Sequence, residues 1–99
     1  MAVYWLSFRL ADGPTYPARY DAFVDAVEQM KSMWWVETSA FFVFETTLDI
    51  NAVAARAKAA IDPARDIALI GMPEFKNARI IGAFKDQDIF KLMPFTKKA

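Results

Sequence analysis

The chain has 99 residues, 56% of them hydrophobic and 15% aromatic, which is one domain's worth of sequence with enough apolar side chain for a core. Its twelve basic residues cancel its twelve acidic ones, so the broad positive field of a protein devoted to holding phosphate backbones is missing, and a nucleic-acid partner would need a local patch. With no cysteine and no histidine, thiol chemistry, disulfides, ordinary zinc sites and imidazole catalysis are excluded, and no uncharged apolar run reaches the roughly eighteen residues that span a bilayer.

Val3 to Leu10 alternates as a strand does, with Tyr4, Leu6, Phe8 and Leu10 on one face and Val3, Trp5, Ser7 and Arg9 on the other. These opening residues carry neither a basic leader nor a small-residue cleavage site, which fits the mature end of a cytoplasmic protein. Asp12-Gly13-Pro14 supplies a turn, Pro17 suits a first helical turn, and Tyr20, Phe23, Val24, Val27 and Met30 recur at helical spacing. Asp21, Asp25, Glu28 and Lys31 take the opposite side and read as a solvated face. Met33 to Thr46 is aromatic and β-branched apart from Thr38-Ser39-Ala40, which predicts two strands joined by a tight hairpin. Asp49 is placed to cap a second helix whose narrow stripe is Ile50, Val53, Ala54, Ala57 and Ile61, before Asp62-Pro63 stops it. Asp66 to Met72 fits a fourth, largely buried strand ended by Pro73. Beyond it, Ala78 to Phe84 fits a fifth strand and Asp86 to Met93 a short helix, with Lys85, Asp86, Asp88 and Lys91 as its exposed charges, ahead of a basic Lys97-Lys98 end.

The order β-α-β-β-α-β predicts an α+β, ferredoxin-like sandwich: a single domain over 1–99 with its core in 3–72 and a C-terminal extension in 73–99. Two helices cover one face of its four-stranded antiparallel sheet, and the other face should be polar in a monomer. Here that face is apolar. Each buried aromatic removes roughly 150 to 250 Å² from water, so three or four of them exceed what a monomer commonly exposes. Val3, Trp5, Trp34, Trp35, Phe41 and Val43 are therefore candidates for the seam of a homodimer, with the fifth strand extending the partner's sheet. A base-stacking platform would combine such aromatics with clustered cations, but the second and third strands carry Glu37 and Glu45 and no Lys or Arg.

A first strand of the form Tyr4-Trp5-Leu6-Ser7-Phe8, a helix ending Ala22-Phe23-Val24-Asp25-Ala26-Val27, the Trp34-Trp35 pair, the Ser39-Ala40-Phe41-Phe42-Val43 strand and Thr46-Thr47-Leu48 before the second helix resemble the small SinR-like proteins. Those proteins sit near the CRISPR-associated type-two Cas nucleases and the VapD toxins. The resemblance implies a ferredoxin-like homodimer. For activity it implies a metal-dependent phosphodiesterase in which an aspartate near the end of the first strand faces its symmetry mate and holds Mg²⁺. This sequence has Arg9 at that position, a cation that only donates and repels the ion. Asp12, three residues on, is the remaining candidate carboxylate, and it stands in ordinary Asp-Gly-Pro turn chemistry.

The residues thus point to a non-catalytic homodimeric module with a regulatory, antitoxin-like or partner-binding role, using no cofactor or metal. Two alternatives stay open: an endonuclease or endoribonuclease with Asp12 as catalytic acid and Mg²⁺ as cofactor, and a small-molecule binder or enzyme that uses Tyr4, Tyr16 or Tyr20 and the aromatic face. Arg9 is the candidate phosphate- or anion-binding residue, with a cross-dimer pair to Glu37 or Glu45 as its structural role.

Overall fold

The alternation of the first strand decides the layering. In the computed structural model, which describes residues 1–38 and 40–99, β1 (Ala2–Arg9) buries Tyr4, Leu6 and Phe8 on one side and turns Val3, Trp5, Ser7 and Arg9 to the other. A turn at Gly13 to Thr15 leads to α1 (Tyr16–Met30), whose Phe23, Val27 and Met30 are buried while Asp21, Asp25 and Glu28 stay exposed. Two antiparallel strands follow, β2 (Met33–Trp35) and β3 (Phe41–Thr46); the expected hairpin link includes Ser39, which lies outside the described residues. Then comes α2 (Ile50–Ala60), capped as expected by the Asp49 carboxylate, which accepts from the Ala52 N–H at 2.8 Å. β4 (Ile67–Gly71) and β5 (Ala78–Gly82) pair antiparallel, and a four-residue α3 (Ile89–Leu92) precedes β6 (Thr96–Lys98).

The strands form one mixed sheet in the order β2-β3-β1-β4-β5-β6, antiparallel throughout except for the parallel β5–β6 pair. Among the described residues the architecture is α+β with six strands and three helices. This corrects two expectations. The fifth strand pairs with the chain's own β4 and β6, not with a partner's sheet. And the basic tail, whose Lys97 and Lys98 gave no strand signal, is the sixth strand.

Register assigns the faces. Leu6 sits beside Phe42 and Ile70, and Phe8 beside Ala68, so these residues, with Phe44 and Ile81, meet Phe23 and Val27 of α1 and Val53, Ala54 and Ala57 of α2 in one core. The alanines let α2 lie close to the sheet. Tyr4 belongs to this core too: it is buried and its hydroxyl donates to the Leu48 carbonyl at 2.9 Å. Burial, and then the Asp49 carboxylate, push its phenol above the ordinary 10.0. Tyr4 is therefore a packing residue.

The opposite face is only half open. Ile80 lies on it by register with Leu69, yet it is just 5% exposed. In the segment after β5 the Phe84 and Phe90 rings meet at 5.9 Å, Lys98 stands over Phe84, and Met93 and Phe95 share with Trp5 the lining of a hollow of about 320 Å³. Ile80 is thus buried at the β5 end of this face, while Val3, Met33 and Trp35 at the β2-β3-β1 end stay exposed. Gly71 seats Trp5, because a Cβ there would lie 2.2 Å from the indole. Gly71→Ala is expected to displace that ring and cost about 1–3 kcal/mol, read as a lowered urea midpoint.

Candidate functional site

The predicted seam residues sort by parity. Val3, Trp5, Trp35, Phe41 and Val43 share the open face, since Trp5 and Trp35 both lie opposite Val43, Ser7 opposite Phe41, and Val3 and Met33 opposite Glu45. Trp34 does not join them. One residue out of phase with Trp35, it pairs with Phe44, lies tilted 6.1 Å from the Phe42 ring and packs against the helix-side core, with the Lys31 ammonium 5.2 Å from its ring. It is removed from the seam. The apolar side chains left to solvent on the β2-β3-β1 half are substantial: Val3 is 39% exposed, Met33 65%, Trp35 47% and the adjoining Val36 41%.

Arg9 projects from the same face at the far end of β1, opposite Ile67, and is exposed. Among the described residues it makes no ion pair, with Glu37 and Glu45 included. Glu45 instead accepts from the Ser32 hydroxyl at 3.1 Å. Asp12 stands in the exposed loop after β1, where its backbone carbonyl accepts from Arg65 Nη2 at 2.7 Å. Among the described residues no three acidic side chains converge as a metal site would require. Asp86 Oδ1 accepts from the Asp88 N–H at 2.9 Å, ordinary chemistry for the start of α3.

The strongest electrostatic cluster is one that pattern reading passed over. Asp66, expected as the first residue of the fourth strand, precedes β4 and is fully buried. Its Oδ1 accepts from the Ala11 N–H at 2.8 Å and from Arg19 Nη1, and its Oδ2 accepts from the Asp62 N–H at 2.9 Å. Arg19 spends its other donors nearby, on the Ala11 carbonyl at 2.6 Å and on Thr15 Oγ1 at 3.0 Å. Burial alone would raise the Asp66 pKa, but the Asp62 and Ala11 N–H groups and the guanidinium together hold it below the ordinary 3.8. With its donors in place, this carboxylate is a clamp joining the β1–α1 and α2–β4 connections. A signal for it exists in the sequence: Arg19 puts a cation in the opening turn of a helix, where the dipole disfavours one unless an anion pairs with it.

Comparison of the chain with protein-family models, with curated proteins and with solved structures finds no match. Among the described residues, no helix is long and apolar enough to cross a membrane.

Proposed function

We propose that this chain works as a non-catalytic homodimeric module of the ferredoxin-like kind, with a regulatory or partner-binding role in the cytoplasm, and that the second copy covers the β2-β3-β1 half of the open sheet face. The strand order β2-β3-β1-β4, with α1 and α2 packed in the core on one side, supports the fold reading. The observation that carries the dimer is the apolar half-face itself: Val3, Met33 and Trp35 exposed beside half-buried Trp5, Phe41 and Val43, while Ile80 toward the other edge of the same face is buried.

Area sets the expected strength. Strands of 8, 3 and 6 residues, spaced about 4.8 Å apart and rising about 3.3 Å per residue, present roughly 270 Å² of flat surface. That is well below the ~800 Å² per partner of a standard interface, so the dimer belongs at the weak end, with a micromolar dissociation constant. A second copy suits this patch better than nucleic acid, because Arg9 is the one Lys or Arg that the β1, β2 and β3 strands carry. Trp35→Asp is expected to weaken self-association at least thirtyfold, the effect of losing a central aromatic anchor, without changing the circular dichroism spectrum. The nuclease alternative is checked directly. Labelled RNA and DNA incubated with the protein in Mg²⁺ or Mn²⁺ should stay intact, and cleavage abolished by EDTA and by Asp12→Ala would replace the present reading.

A further inference from the structure

The strands β1, β2 and β3 carry two charged side chains, Arg9 and Glu45, and register puts both on the open face. Cross-strand rows run over that face in the order Val3–Glu45–Met33, Trp5–Val43–Trp35 and Ser7–Phe41, with Arg9 at the end of β1 beyond them. Arg9 stands six positions after Val3, which at about 3.3 Å per residue is roughly 20 Å from the Glu45 row. Two side chains cannot bridge that gap, so one copy cannot pair its own Arg9 with its own Glu45.

The two ends also differ in setting. Glu45 is half-buried, accepts from the Ser32 hydroxyl at 3.1 Å and shares the lining of a hollow of about 300 Å³ with Val3, Met33, Trp35 and Val43. Arg9 is exposed, and among the described residues it makes no ion pair. A second apolar surface laid over Glu45 would strand its charge unless that surface brings a cation, because a carboxylate buried without a partner is costly. A second copy of this chain brings one in its own Arg9.

Given the second copy proposed above as the occupant of this face, a reading on which this step rests, we infer that the two sheets meet about a twofold axis running across the strands, with Arg9 of each copy paired to Glu45 of the other. Such an axis, passing between the Trp5 and Ser7 rows, lays β1 over the partner's β1 in the opposite direction. Trp5 then faces the small Ser7, Val43 faces Phe41, and Val3 faces Arg9. Glu45 lies one strand, about 4.8 Å, to the side of that Arg9, within reach of a guanidinium between sheets about 10 Å apart. The other twofold axis that brings these faces together runs along β3. It sets Glu45 against Glu45 with no cation between them, and Trp5 against Trp35, so charge and size both disfavour it. Glu37, the second acid weighed for Arg9, lies in exposed chain after β2.

The native chain has no cysteine, so engineered thiols report the orientation without interference. The full chain carrying both Arg9→Cys and Glu45→Cys, treated with a bis-maleimide that spans about 10 Å, should give covalent dimer. Neither single variant should, since like positions lie at least about 20 Å apart about the proposed axis. Charge reversal supplies a second readout, taken on variants whose circular dichroism matches wild type. In sedimentation velocity Arg9→Glu and Glu45→Arg should each weaken self-association about tenfold or more, and the double reversal should return to within about threefold of wild type. Covalent dimer from a single-cysteine variant, better cross-linking of Arg9→Cys with Glu37→Cys than with Glu45→Cys, or a folded double reversal as weak as the single ones would each overturn this orientation and leave the dimer standing. A wild-type chain that stays monomeric would remove the dimer itself, so the two failures are told apart.

Discussion

Replacing Asp66 with alanine is expected to remove about 3–5 kcal/mol of folding stability, a large part of the ~5–15 kcal/mol that holds a domain of this kind together. The change strands three donors at once: the Ala11 and Asp62 N–H groups and the Arg19 guanidinium, only 12% exposed, which would be left without its carboxylate. Arg19→Met should cost less, because Asp66 keeps its two backbone donors, and denaturant midpoints should rank wild type above Arg19→Met above Asp66→Ala. The same clamp sets the acid limit. The Asp66 pKa is lowered in the folded state, so its contribution is fully present above the unfolded value of 3.8 and is lost as pH falls below 3.8 through the folded value. A titration of urea midpoints from pH 6 downward should show this loss in wild type, and the dependence should flatten in Asp66→Ala.

Gly82→Ala is the second substitution with a large expected effect, about 3 kcal/mol or more, read as a melting temperature lowered by roughly 12–24 °C. Gly82 takes a φ of 107°, and a Cβ there would lie 1.8 Å from the Asp66 carbonyl oxygen. That oxygen is fixed, because it accepts from the Ala83 N–H at 2.9 Å and belongs to the residue whose side chain is the buried clamp. At Gly71 the obstruction is the Trp5 side chain, which can rotate; at Gly82 it is backbone, which must move with the start of β4. The two costs at Asp66 and Gly82 share a neighbour, so the double variant should fall short of their sum.

Much of this molecule was legible from residue order. The period of two in β1 announced which face Tyr4, Leu6 and Phe8 would bury, and Asp49 announced the start of α2, because both signals are local and depend on backbone geometry alone. What escaped were features made by distant pairing. Trp34 and Trp35 are equal in hydrophobicity, and only the register against Phe44 and Val43 sends one to the core and the other to solvent. Thr96 to Lys98 forms a strand because β5 offers it a free edge, against the preference of its charged residues. The extent of the exposed face was overestimated for the same reason: Ile80 lies on it by register and is nonetheless buried. The Asp66 clamp joins residues 47 positions apart, beyond any local pattern. Arg9 as an exposed residue of the open face and Asp12 as part of a turn were legible, since alternation and Asp-Gly-Pro chemistry are both local.

The central claim is that the β2-β3-β1 face meets a second copy, and the most direct check is sedimentation velocity of the wild-type chain from about 1 to 500 µM, a span chosen to bracket a micromolar dissociation constant. The proposed dimer predicts a sedimentation coefficient that rises with concentration from monomer to dimer, and a Trp35→Asp variant whose rise is displaced at least thirtyfold toward higher concentration. A wild-type protein that remains monomeric throughout, or a dimer that Trp35→Asp leaves intact, would contradict it.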